Sequence, residues 1–345
     1  MGVNLTPIMV KCTIRLDDLA GRTLAVDANN FLYQFLALIR TPEGIPLKAP
    51  DGTVTSHLAG LLYRTTRLVS EYGLGLTFVF DGKPSEYKQR EIEKRRQLRE
   101  KATKEWHEAL DAGDYAKAFS KAVMSSRLTR PLIQDAKTLL TLLGLPYVQA
   151  PSEAEAQAAY MAREGDVWAS SSRDYDSLLF GTPRLVRYLT ISGREYLPSK
   201  MTSRLLRPEI ITLDEFLSRI AITREQLVDL AILIGTDFNE GIRGIGPKTA
   251  LRLVREHGRI DDLPDEIMKR VPGHYGDVRM LFLEPDVTSE YTTSYGPLKE
   301  DELYDFLCDQ KGFSKARVRS AVERLRVSRG RMEQSDLKRW LAGSD

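Results

Sequence analysis

The sequence predicts an α/β fold: a mostly parallel central sheet flanked by helices, interrupted by a charged helical stretch and followed by a mainly helical region. Three observations carry the prediction. Short apolar runs that end abruptly in aspartate alternate with helical patterns, as expected for parallel strands joined by crossover helices. A long charged stretch interrupts that alternation at residues 82–130, and beyond residue 220 the chain is mainly helical in pattern.

Leu24-Ala25-Val26-Asp27 reads as the first strand, apolar enough to be buried on both faces before it stops at an acid. Asn30 to Arg40 and Leu58 to Tyr72 follow as helices, and Thr77-Phe78-Val79-Phe80-Asp81 repeats the strand that ends in aspartate. Residues 82–130 carry 13 Lys and Arg against 8 Asp and Glu. A charge run of this kind is ordinarily a solvated helical hairpin. Here Lys88, Arg95 and Arg99 stand seven and then four residues apart, which puts them on one helical face directly after Asp81. Leu132 to Leu143 is the next helix, and Val167-Trp168-Ala169-Ser170 is a weaker third strand running into Arg173-Asp174-Tyr175-Asp176. Sheets of this class bind ligands beyond the carboxyl ends of their strands, where these aspartates lie.

Seven acids from five places in the chain form the candidate centre: Asp27, Asp81, Glu153, Glu155, Asp174, Asp176 and Asp237. In Pro151-Ser152-Glu153-Ala154-Glu155-Ala156, Ser152 is the expected N-cap and both glutamates fall in the first turn, where the helix dipole favours negative charge. The i, i+2 spacing of Asp174 and Asp176 directs both to one side of an extended segment. Singly, each acid is explained as well by capping or a surface turn. Gathered in one pocket, they could not all ionise against their mutual repulsion without cations. All-oxygen donors suit Mg²⁺ or Mn²⁺ over zinc or copper, and a pair of such ions is the arrangement used for in-line phosphoryl chemistry. Phosphodiester hydrolysis is therefore the leading reaction.

Other features exclude competing chemistry. Net charge is only +2, so any attraction for a polyanion must be local. Cys12 and Cys308 have neither disulfide nor zinc spacing, and the four histidines are scattered, each expected at the surface or at a cap. No apolar run is long enough to span a bilayer and no secretory signal opens the chain, so the expected location is the cytoplasm. Gly241-Ile242-Arg243-Gly244-Ile245-Gly246-Pro247-Lys248 leads into a helix whose free amides could hold a phosphate, although a glycine-rich connector has the same pattern.

With these motifs in this order, the chain resembles the flap endonuclease (XPG-type) family in its archaeal and eukaryotic form, from Met1 to its last residues. The family motifs stand as Ala25-Val26-Asp27-Ala28, Val79-Phe80-Asp81-Gly82-Lys83-Pro84, the 151–156 and 174–181 segments, and the glycine turn. The resemblance implies that the seven acids hold two Mg²⁺ ions, with Mn²⁺ as a substitute. It implies that Lys88 and Arg95 act on the scissile phosphate, that Tyr33 stacks on a neighbouring base, and that Gly2, Gly241, Gly244, Gly246 and Lys248 serve DNA binding. Residues 82–130 would be the arch passed by an unpaired 5′ strand, and 221–260 the helix-two-turns-helix, with K⁺ on its carbonyls. The implied organisation is one nuclease domain over 1–327, with nuclease regions at 1–100 and 140–220, and a tail at 328–345. The implied activity is a 5′ flap endonuclease with 5′–3′ exonuclease action in Okazaki fragment maturation and repair, in a monomer. The rivals are a sibling cutting bubbles, four-way junctions or nicked ends, a silent DNA-binding scaffold, and an RNA-processing nuclease with a related sheet, which the glycine turn as a duplex-DNA grip disfavours. Retention of every acid speaks against the scaffold, and the lack of a basic tail points to an archaeal cytoplasm.

Gln334, Leu337, Trp340 and Leu341 have the spacing of a peptide that binds a sliding clamp of the proliferating cell nuclear antigen type. An amphipathic end packing on its own domain is the alternative.

Overall fold

The structure is a computed structural model; it describes residues 2–41, 43–190, 193–197 and 202–342, with side chains for all of these except 193–197, 202–205 and 329–342. After the short strand β1 (Cys12–Thr13) the chain enters β2 (Thr23–Asp27), buried beyond its first residue. The Asp27 carboxylate accepts from the Asn30 N–H at 2.9 Å and so caps α1 (Ala28–Leu38). Helix α2 (Ser56–Tyr72) leads back to β3 (Gly75–Phe80), which lies parallel to β2 with Asp27 beside Val79. The charged stretch forms two helices, α3 (Gln89–Asp111) and α4 (Tyr115–Ser125), packed along each other and tied by Lys121 on Glu105 at 2.5 Å.

The alternation resumes with α5 (Arg130–Leu142), β4 (Tyr147–Gln149), α6 (Ala154–Glu164), β5 (Ala169–Ser171), the single turn α7 (Asp176–Leu179) and β6 (Arg184–Arg187). A separate hairpin, β7 (Gly193–Leu197) with β8 (Thr202–Leu206), precedes β9 (Glu209–Thr212). Helices complete the chain: α8 (Leu213–Ile220), α9 (Arg224–Ile234), α10 (Pro247–His257), α11 (Asp265–Met268), α12 (Tyr275–Leu283), α13 (Glu300–Tyr304) and α14 (Lys315–Ala342). The seven-stranded sheet runs β1-β9-β6-β5-β2-β3-β4, parallel from β4 to β6 and antiparallel where β9 and β1 are added.

Burial follows the two-residue period of the strands. Leu24, Val26, Phe78 and Phe80 face Phe31, Phe35, Leu58 and Leu62 of α1 and α2, whereas Ala25 and Val79 face Ala154, Ala158 and Met161 of α6. Phe78 and Phe80 are each 1% exposed, and burying a side chain of that size contributes on the order of 2 kcal/mol. Helices thus cover both faces, and among the described residues none is long and apolar enough to cross a membrane.

Several local expectations are corrected. Glu153, not Ser152, is the N-cap of α6, and its carboxylate does not cap: the free Ala154 N–H donates to Asp81 at 2.8 Å, an acceptor delivered from the end of β3. Asp174 and Asp176 do not lie on an extended segment; Asp174 sits in a bend and Asp176 opens α7. The third strand is Ala169–Ser171, two residues later than its apolar run. Helix α14 continues through residue 328, where Ser328 is buried and donates to the Val69 carbonyl of α2 at 3.0 Å. His57 is fully buried in α2 rather than at the surface, because that helix is enclosed along most of its length.

Candidate active site

Four neighbouring parallel strands release the acids at one edge of the sheet. Asp27 is the last residue of β2, Asp81 directly follows β3, Glu153 and Glu155 open the helix after β4, and Asp174 lies in the bend after β5 with Asp176 opening α7. Asp237 joins them from the loop after α9. Basic side chains from the start of α3 complete the group. Lys88 Nζ lies 2.5 Å from Glu153 and 3.7 Å from Asp237, and Arg95 grips both Asp237 oxygens while its Nε donates to Glu91 at 2.9 Å. The phenyl ring of Phe238 lies 5.7 Å from Lys88 Nζ.

The electrostatics link all seven carboxylates. Burial, then Asp81 and Asp174, raise Asp27 well above the ordinary range, against the Asn30 N–H that favours its charge. Burial likewise raises Glu155, helped by Asp176, Asp27 and Asp174. Asp176 is pushed up to about 7 by burial and by Asp237 and Asp174, although the Val3 N–H donates to it at 2.7 Å. Burial raises Glu153 as well; Lys88 opposes this and Asp81 reinforces it. Burial by itself would lower Lys88, but Glu153 together with Asp81 and Asp237 outweighs it and holds the ammonium charged. The group is thus short of positive charge. Among the described residues no three His, Cys, Asp or Glu side chains are closed up as a ready metal cage; Lys88 and Arg95 lie among the acids instead. The donor set is entirely oxygen and carries excess negative charge, which fits hard divalent cations.

The remaining candidates surround this group. Tyr33 is half-buried on α1 and faces the Arg99 guanidinium of α3 at 5.4 Å. Gly2 packs so closely on Asp176 that a Cβ there would collide with the carboxylate. In the glycine turn, a Cβ at Gly241 would meet the Ile234 carbonyl, Gly244 has φ 88°, and Gly246 is the N-cap of α10 with Pro247 at its first position. Lys248 is exposed on that helix's first turn. The side chains of Gln334, Leu337, Trp340 and Leu341 lie outside the described residues.

The chain is 46% identical to flap endonuclease 1 of Thermococcus onnurineus over 341 residues, covering 99% of each chain, and 49% identical to that of Caldivirga maquilingensis over 343 residues, covering 97% and 98%. It belongs to the flap endonuclease family. Family models for the XPG N-terminal domain and the XPG I-region match residues 1–102 and 144–237. The first span holds Asp27, Asp81, Lys88 and Arg95, and the second holds the other five acids. Flap endonuclease-1 from Methanococcus jannaschii has the same fold, with a TM-score of 0.74 at 39% identity over 94% of this chain and 98% of that one. The catalytic core of Rad2 in complex with DNA substrate matches at a TM-score of 0.66 and 22% identity, a likeness of fold.

Several residues at the site were not legible beforehand in this flap endonuclease family member. Asn29 donates to Asp81 at 2.6 Å, and Asn30, itself bonded to Gln34, reaches Asp174 at 3.4 Å. The Asp27-to-Asn30 capping spacing was the one local signal for Asn30. Nothing in the sequence pairs Val3 with Asp176, 173 residues away.

Proposed function

We propose that the chain is a structure-specific 5′ nuclease that cuts flapped DNA where single strand meets duplex, with 5′–3′ exonuclease action, in Okazaki fragment maturation and repair. The observation that carries this is the group of seven carboxylates gathered beneath Lys88 and Arg95, in a chain matching archaeal flap endonucleases over nearly its whole length.

Asp27, Asp81, Glu153, Glu155, Asp174, Asp176 and Asp237 would hold two Mg²⁺ ions, with Mn²⁺ able to replace them. When bound, such ions supply a nucleophilic water at neutral pH and charge stabilisation at the phosphoryl oxygens. The chain's own residues do the rest. Lys88 and Arg95, exchanging their carboxylate partners for phosphate, neutralise charge that develops on the phosphoryl oxygens. Tyr33 offers a half-exposed ring to the base beside the cut. The glycine turn and Lys248 hold the duplex backbone without reading its sequence, and carbonyls of that turn would hold K⁺. The α3–α4 pair is the arch that admits the unpaired 5′ strand, and Gly2 lets the amino terminus close against Asp176. A monomer in an archaeal cytoplasm, recruited by a sliding clamp through Gln334, Leu337, Trp340 and Leu341, completes the proposal.

The test uses matched oligonucleotides that differ only in branch structure, digested with Mg²⁺ or with chelator. Cutting at the flap base in Mg²⁺ alone is the expected result. Equal cutting of unbranched duplex, or cutting in chelator, overturns the proposal.

A further inference from the structure

A buried arginine lies behind the acids without touching them. Arg187, at the end of β6, is 6% exposed. Its Nε donates to the Arg173 carbonyl at 2.9 Å, and its guanidinium carbon stands 3.9 Å from the centroid of the Tyr175 ring. Arg173 and Tyr175 are the residues on either side of Asp174, and Tyr175 immediately precedes Asp176. The guanidinium carbon also stands 4.8 Å from the centroid of the Tyr188 ring, and one Nη donates to the Tyr188 hydroxyl at 3.1 Å. Its remaining anchor is Glu209 of β9 at 3.2 Å, a carboxylate shared with Lys11 at 2.6 Å.

We propose that Arg187 is a positioning residue for the nuclease reaction, holding the bend after β5 so that Asp174 and Asp176 stand where the divalent ions bind; the inference rests on the two-ion reading above. Burying a guanidinium whose carboxylate partner is shared with Lys11 is costly, and an apolar side chain would fill the space more easily. What an apolar side chain lacks is the combination used here: a donor for the Arg173 carbonyl and a flat cation set against two aromatic rings. Tyr188 supports the same reading. It adopts φ 59°, one of two non-glycine residues with positive φ among the described residues. That disfavoured conformation accompanies the placement of its ring and hydroxyl on Arg187. The amino-terminal segment holds the same stretch, with Thr6 donating to the Tyr175 hydroxyl at 3.4 Å and Val3 donating to Asp176.

The experiment compares wild type with Arg187→Gln, Arg187→Lys and Glu209→Gln, all as the full chain. Mn²⁺ binding to the DNA-free protein is measured by calorimetry, alongside thermal melting in chelator, flap binding without divalent ions, and the Mg²⁺ dependence of single-turnover cutting. Arg187→Gln should weaken ion affinity by about 10- to 100-fold, as for loss of a group that orients a ligand, and raise the Mg²⁺ half-saturation in parallel. Flap affinity without ions should stay at the wild-type level. Arg187→Lys keeps the charge but not the fork or the flat faces, and should resemble Arg187→Gln. Should Arg187→Gln fail to fold, Glu209→Gln retains the arginine, loosens its anchor and should shift ion affinity in the same direction. Unchanged Mn²⁺ affinity in a folded Arg187→Gln or in Glu209→Gln, or full recovery by Arg187→Lys, overturns the inference. Absence of Mn²⁺ binding in the wild type would instead overturn the two-ion reading itself.

Discussion

Arg95 and Asp237, 142 residues apart, form a two-point ion pair: one guanidinium nitrogen reaches both carboxylate oxygens, at 2.8 and 2.7 Å. The pair fastens the first helix of the charged excursion to the loop after α9, and Lys88 makes the matching connection to Glu153. Both cations are thereby held over the acids before any substrate arrives.

Replacement of either cation should therefore act on the chemical step. Lys88→Ala or Arg95→Ala is expected to lower the single-turnover rate by about two to three orders of magnitude, as for removal of one preorganised charge stabiliser. Affinity for flap DNA should change much less. Rapid-quench rates and binding isotherms on the same substrate decide it: a collapse of affinity with a normal bound rate would make these residues ground-state contacts.

Asp81 has two separable duties. Asp81→Ala and Asp176→Ala should abolish cleavage while flap binding measured in Ca²⁺ persists. Asp81→Ala should in addition cost about 0.5–2 kcal/mol of stability, since the Ala154 N–H loses its acceptor. Asp81→Asn keeps an acceptor for that N–H and should melt near wild type while remaining inactive. Near wild-type cutting by any of these variants would remove the acid from the catalytic group.

The shift of Asp176 sets a pH dependence. Its carboxyl is raised from an ordinary 3.8 to about 7 in the ion-free fold. Between those values the unfolded chain is ionised there while the folded chain keeps its proton, so stability present at low pH is lost as pH rises through about 7. Added Mg²⁺ or Ca²⁺ competes with that proton. The ion-induced rise in Tm should thus be larger at pH 8 than at pH 5, and Asp176→Asn should flatten the difference. Equal rises at both pH values in the wild type would contradict the assignment.

Trp340→Ala tests recruitment. Truncating a tryptophan at the centre of an interface commonly costs about 2 kcal/mol or more, roughly a thirtyfold loss of clamp affinity. Cutting without clamp should be unchanged. Equal stimulation by clamp in wild type and variant would reject the peptide, and reduced clamp-free activity would favour packing on the chain's own domain.

By itself the sequence determined the features that depend on short-range periodicity and abrupt stops. The apolar runs Leu24–Val26 and Thr77–Phe80 stop at Asp27, the last residue of β2, and at Asp81, just past β3, because a strand buried on both faces cannot extend far beyond a carboxylate, so the acids were legible along with the sheet. The glycine turn was legible for the same local reason, since Gly244 marks a backbone conformation that other residues avoid. Tertiary structure alone decided how those acids are held. Asp81 caps a helix that starts 73 residues later, Val3 donates to Asp176 across 173, and Arg187 reaches around Asp174 to the carbonyl and ring beside it. Such contacts join residues with no shared period or spacing, and they exist only once the parallel strands have brought their carboxyl ends to one edge.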